Sequence, residues 1–99
     1  MSKLNKQQLQ YLKKLSHALK PVVRIGQHGV SDSVLAELET ALVRHELVKL
    51  KIAASDRDER QTLLNKLTTG SESALVQQIG SVAVLFRRND KKPVIELPK

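Results

Sequence analysis

The sequence predicts an α/β domain, a two-layer sandwich with element order α-β-α-β-α-β-β and a mixed four-stranded sheet. Three observations carry that reading. Apolar residues recur at helical spacing in three separate stretches, and β-branched or alternating runs lie between them. Gly80-Ser81 then separates two apolar runs as a two-residue hairpin turn would. At 99 residues the chain suits one domain, 1–99, because cores usually split only in much longer chains.

Residues 4–19 read as an amphipathic helix, with Leu4, Tyr11, Leu12, Leu15, Ala18 and Leu19 in one apolar sector. Lys6, Lys13 and Lys20 form a stripe on the other side, with Lys3 and Lys14 beside it, and Pro21 stops the helix. The β-branched run 22–25, VVRI, is a short strand. Ser31 is an N-cap, Asp32 favours the first turn, and Val34, Leu35, Leu38, Ala41 and Leu42 extend a second helix over 32–45. In 47–53, Val48, Leu50 and Ile52 alternate with Lys49 and Lys51, a strand with one buried face. The third helix is capped by Ser55, carries Leu63, Leu64 and Leu67 inward and ends at Gly70. ALVQQI and VAVLFR form the hairpin, and PVIEL adds a short edge strand. Strands joined by helices are expected to pair in parallel through right-handed crossovers. The sheet then packs helices on one face and leaves the other at least partly solvated.

Charge directs the functional reading. Residues 1–30 hold Lys3, Lys6, Lys13, Lys14, Lys20 and Arg24 with no acid, and the whole chain carries a formal charge of +7. Such a balance points to a polyanionic partner. No cysteine is present, no apolar run is long enough to span a membrane, and the N-terminus is too polar for a secretory signal. The expectation is a soluble cytoplasmic protein, monomeric by default.

Catalytic and metal patterns are weak. His17, His28 and His45 fall on different elements, and Asp56, Asp58 and Glu59 read as acids at a helix start. The glycines match neither a Walker loop nor a dinucleotide fingerprint. The expectation is no enzyme, no cofactor, no metal and no small-molecule substrate. Gly26-Gln27-His28-Gly29 instead forms a G-x-x-G turn before a helix, where peptide N–H groups face outward with positive partial charge behind them. KH domains clamp a nucleic-acid backbone with such a loop, although theirs joins two helices. Taken alone, two glycines at this spacing read as a plain turn; the flanking lysines and Arg24 shift the reading toward phosphate. With only Tyr11 and Phe86 aromatic, base stacking is poorly supplied, so contacts should be to phosphate and sugar.

The segments LKKLSHALKPVVRIGQHGVSDSV, HELVKLKI and LTTG followed by VQQIGSVAVLFR together resemble the CRM domain family (chloroplast RNA splicing and ribosome maturation), in particular its bacterial stand-alone, YhbY-like members. The resemblance implies a fold similar to the C-terminal domain of translation initiation factor three. It implies RNA binding centred on Gly26, Gln27, His28 and Gly29, and association with ribosomal RNA in large-subunit precursors. The family often has Lys or Arg at the variable loop positions; here charge at the tip depends on His28 protonation.

The expected RNA-contacting set is the loop with Lys6, Lys13, Lys14, Lys20 and Arg24, then Lys49 and Lys51 on the open sheet face and Arg87 and Arg88 after the hairpin. Two alternatives stay open: a module docking an acidic protein surface, and duplex DNA binding, which the lack of a helix-turn-helix disfavours.

Overall fold

The structure, a computed structural model, describes residues 4–26, 29–54 and 56–98. Three helices and four strands follow in the expected order: α1 (Lys6–Ser16), β1 (Val23–Ile25), α2 (Asp32–His45), β2 (Leu47–Ile52), α3 (Arg57–Ser71), β3 (Ala74–Ile79) and β4 (Val82–Phe86). The strands form one mixed sheet in the order β1-β2-β4-β3. β1 and β2 are parallel, as expected of strands joined through a helix, whereas β2 pairs antiparallel with β4. β3 therefore lies at the far edge and does not pair with β2, although α3 joins them. The hairpin is as expected: Gly80 takes φ 57 at its first central position, where type II′ turns place glycine.

The alternation of β2 sorts its residues between two cores. Val48, Leu50 and Ile52 join Val23, Ile25, Ala83 and Leu85 beneath Leu38 and Leu42 of α2 and Leu63, Leu64 and Leu67 of α3. These two helices and the sheet are the sandwich. Leu47, Val76, Val84 and Phe86 point the other way, where Leu12 of α1 is wholly buried among them. Burying such a leucine is worth about 1.5–3 kcal/mol, which pins α1 across one end of the second face. The other end of that face stays open.

Local chemistry explains most boundaries. Asn5 and Gln8 build a reciprocal capping box that starts α1, their side-chain oxygens accepting each other's backbone N–H at 2.8 and 3.1 Å. Ser31 caps α2 as expected. Helix α1 stops at Ser16 rather than running to Leu19. The Nζ of Lys49 donates to the carbonyls of Ser16 and Leu19 at 3.1 and 3.2 Å, and His17 and Ala18 turn tightly beyond the last helical residue. Lys20 is consequently off the helix, and the stripe that was to join it to Lys6 and Lys13 is broken. Tyr11, expected in the apolar sector, is 38% exposed.

Three further expectations change. Asp56 caps α3 by accepting the N–H of Glu59 at 2.8 Å; the expected cap, Ser55, lies outside the described residues. Gly70 is inside α3 rather than at its end, because a Cβ there would come within 3.1 Å of Leu35 Cδ2 on α2. Its smallness serves helix packing, and Glu72 takes the left-handed closing position at φ 53. PVIEL forms no strand. The wholly buried carboxylate of Glu46 accepts the backbone N–H groups of Val94 and Ile95 at 2.7 and 2.6 Å, and that of Asn89 at 2.6 Å, so the tail is bound by a side chain instead of a strand. No helix among the described residues is long and apolar enough to cross a membrane.

Candidate functional site

The turn after β1 contains two glycines in different circumstances. The N–H of Gly29 donates to the carbonyl of Gly26 at 3.0 Å and closes a tight reversal. Gly29 has φ 70, a conformation that would cost another residue about 1–2 kcal/mol. Its presence is a matter of backbone geometry. Gly26 has no such excuse: its φ is not left-handed, and a Cβ built there meets nothing within 4 Å. Nothing in the fold around it requires glycine, and the space a side chain would occupy is open. Gln27 and His28 lie outside the described residues. Ser31 then accepts the N–H of Val34 at 3.2 Å, so α2 begins directly behind the turn with the exposed Asp32 in its first turn.

Sheet register supplies the neighbouring charge. Arg24 lies opposite Lys51, and both are exposed on the face away from α2 and α3. Neither side chain has an ion-pair or hydrogen-bond partner among the described residues. Lys51 lies opposite Val82, and Val82 opposite Ile79, which is 65% exposed. The N–H of Ile52 bonds to the carbonyl of Ser81 at 2.8 Å, so the hairpin turn and the Gly26–Gly29 turn share one pole of the sheet. Beside this row, a cleft of about 300 Å³ opens between the end of α1 and the hairpin, lined by Ser16, His17, Pro21, Lys49, Gln77, Ile79 and Val82. Sequence reasoning did not pick out Gln77 or Ile79. Beside a hairpin glycine, an isoleucine reads as core, and only the incomplete cover by α1 leaves it exposed.

Other expected cations are placed elsewhere. Lys49 is half-buried and spends its ammonium on the end of α1. Arg87 forms a two-pronged ion pair with Glu39, both contacts at 2.6 Å, and also donates to the carbonyl of Ser71 at 2.9 Å. Glu39 raises the Arg87 pKa through that hydrogen bond, and Arg87 lowers that of Glu39. Arg88 is exposed and follows β4 at the opposite pole from the turn, as does the start of α1, where Gln8 donates to the carbonyl of Pro98 at 3.1 Å. Lys6 sits at that end of α1, separated from the turn by about 17 Å of β2. Lys13 is half-buried; Lys14 and Lys20 are exposed. The structure thus gathers Arg24 and Lys51 at the glycine turn and spreads the remaining lysines along α1 and beyond it.

The fold is thus a three-helix, mixed-sheet α/β domain whose Gly26–Gly29 turn adjoins two cations without a partner among the described residues. The chain matches the CRS1 / YhbY (CRM) domain over residues 4–87 and belongs to that family. It is similar to an RNA-binding protein of Haemophilus influenzae, 42% identical over 99 residues that cover 100% of this chain and 99% of the relative. A probable RNA-binding protein of Pseudomonas aeruginosa is 46% identical over 88 residues, 89% of this chain and 85% of that one. The solution structure of a hypothetical protein from Staphylococcus aureus superposes with a TM-score of 0.82 at 31% identity, covering 97% of this chain and 100% of the other.

Proposed function

We propose that the protein binds RNA, specifically ribosomal RNA in precursors of the large subunit, as a cytoplasmic maturation factor that acts as a monomeric single domain without catalysis. The observation that carries this reading is Gly26. Neither backbone conformation nor internal packing requires glycine there, whereas close approach of a sugar–phosphate chain does. The exposed Arg24 and Lys51 stand ready to neutralise phosphates on either side of the contact. Names of the relatives from Haemophilus and Pseudomonas support the same partner. In this reading Gln27 and His28 hydrogen-bond phosphate or sugar, and Lys13, Lys14 and Lys20 add longer-range attraction. In the same reading Lys49 and Arg87 support the fold instead, because their charged ends already hold the α1 carbonyls and Glu39.

Gly26→Asp tests the reading, since aspartate suits turns yet sets a negative charge where the phosphate would lie. Its Tm should stay near that of the wild type, while affinity for purified large-subunit ribosomal RNA falls about tenfold or more. Unchanged affinity with a folded protein would refute the proposal. Ribonuclease treatment of an extract before sedimentation separates RNA from an acidic protein partner: release from large particles supports RNA, and retention supports the protein. Competition by duplex DNA as effective as that by the RNA would also count against the assignment.

A further inference from the structure

Arg60 is the fourth residue of α3 and precedes the buried Leu63 and Leu64 by three and four positions, so it shares their core-facing stripe. Leu63 is the side chain nearest to Gly29, with Cδ2 3.5 Å from the position of a built Cβ. Helix α3 begins at the glycine pole, just after β2 ends there, and Arg60 is one turn closer to that pole than Leu63. It therefore flanks the Gly26–Gly29 turn from the helical layer, opposite the Arg24 and Lys51 flank.

Its hydrogen bonding is anomalous. The Nε of Arg60 is shut off from solvent and has no partner, the only such side-chain atom among the described residues. No described group pairs with its terminal nitrogens either. Burying an unpaired donor destabilises a fold, and a methionine at this position would fill the same volume without that penalty. With Nε lacking an acceptor and the terminal nitrogens unpaired among the described residues, this half-buried guanidinium can offer those outer nitrogens to an anionic acceptor arriving from outside.

We infer that Arg60 is the helical-side phosphate ligand of the glycine turn, so that the bound strand is held between Arg60 on one side and Arg24 with Lys51 on the other. This rests on the RNA reading above and adds to it a contact from α3, which lies on the sheet face opposite the expected cations.

Arg60→Met is the informative variant, because methionine matches arginine in helix propensity and removes the unpaired Nε. Its Tm should hold or rise by a few degrees. Affinity for purified large-subunit ribosomal RNA should fall about five- to twentyfold, and the slope of log affinity against log salt should shallow by about 0.7–0.9, one phosphate contact. Arg60→Lys should recover part of the affinity and most of the slope. Wild-type binding by the folded methionine variant overturns the assignment and leaves the RNA reading standing. A fall in Tm alongside lost affinity overturns it too, since Arg60 would then be structural. If the wild-type protein itself fails to bind the RNA, the reading beneath the assignment falls and the assignment with it.

Discussion

The two poles of the sheet are built on opposite terms. At the start of β2, Glu46 is wholly buried, and its carboxylate collects three backbone N–H groups from the C-terminal segment. Its own N–H bonds to the carbonyl of Leu42 at 2.8 Å, and its carbonyl accepts from Arg87 at 2.9 Å. At the end of β2, Gly26 faces open space, and among the described residues Arg24 and Lys51 have no partner and Arg60 keeps a buried donor without an acceptor. The first pole satisfies its polar groups internally and holds the fold. The second leaves them unmet among the described residues, which costs stability and is the demand that the proposed phosphate contacts would meet. A small domain can afford that at one end because the other is so thoroughly fastened.

The largest effect should come from breaking the fastened pole. Glu46→Ala strands three N–H groups and should cost about 3–5 kcal/mol. Urea denaturation would show it, and amide exchange should quicken over residues 89–97 while the hairpin stays protected. A loss under 1 kcal/mol would mean that the tail is held mainly by Ile95 and Leu97 packing against the α1 core.

Next in size is the contrast within the turn itself. Gly29→Ala forces a Cβ into φ 70 and should cost about 1–2 kcal/mol. Gly26→Ala should change stability by less than about 0.5 kcal/mol. Equal losses at both positions would refute the separation of a structural glycine from a functional one.

The smallest effect concerns Glu39 and Arg87. Arg87 holds the Glu39 carboxyl below its ordinary pKa, so the folded state binds the proton less readily than the unfolded chain. The pair's stabilisation is therefore complete above the ordinary carboxylate pKa and fades as pH falls through the lowered folded value. Since the Glu39 side chain is 52% exposed, solvent screening limits the pair to about 0.5 kcal/mol. Glu39→Gln should lose that amount near neutral pH and almost nothing in strong acid, as thermal melts at the two pH values would show. A loss of equal size at both pH values would mean that the Glu39 side chain stabilises the fold without its charge, through a neutral hydrogen bond or packing.

How far the sequence could be read depended on how far apart the interacting groups lie along the chain. Ser31 and the apolar positions of α2 act within a few residues of each other, and 32–45 was legible to the residue. The Gly80-Ser81 turn was equally plain. The end of α1 was not, because a lysine 33 residues past Ser16 takes its last carbonyls. PVIEL looked like a strand because its β-branched Val94 and Ile95 were visible and its true partner, a glutamate carboxylate 48 and 49 residues earlier, was not. Gly70 looked like a helix end because nothing local announces Leu35 on another helix. In the candidate site the turn and the charge of Arg24 were legible, whereas the register that sets Lys51 opposite Arg24 and the burial of the Arg60 Nε depend on packing between distant segments.

The sequence alone determined the order of elements, the bounds of α2, the hairpin and the excess of positive charge, since capping, periodicity and turn chemistry all operate between near neighbours. Only the tertiary structure decided which strand lies in the middle, which lysines are spent on carbonyls, and which glycine the fold could do without. Those outcomes depend on distances between groups far apart in the chain, and they take values only when packing brings the two faces of the sheet and its two ends into place.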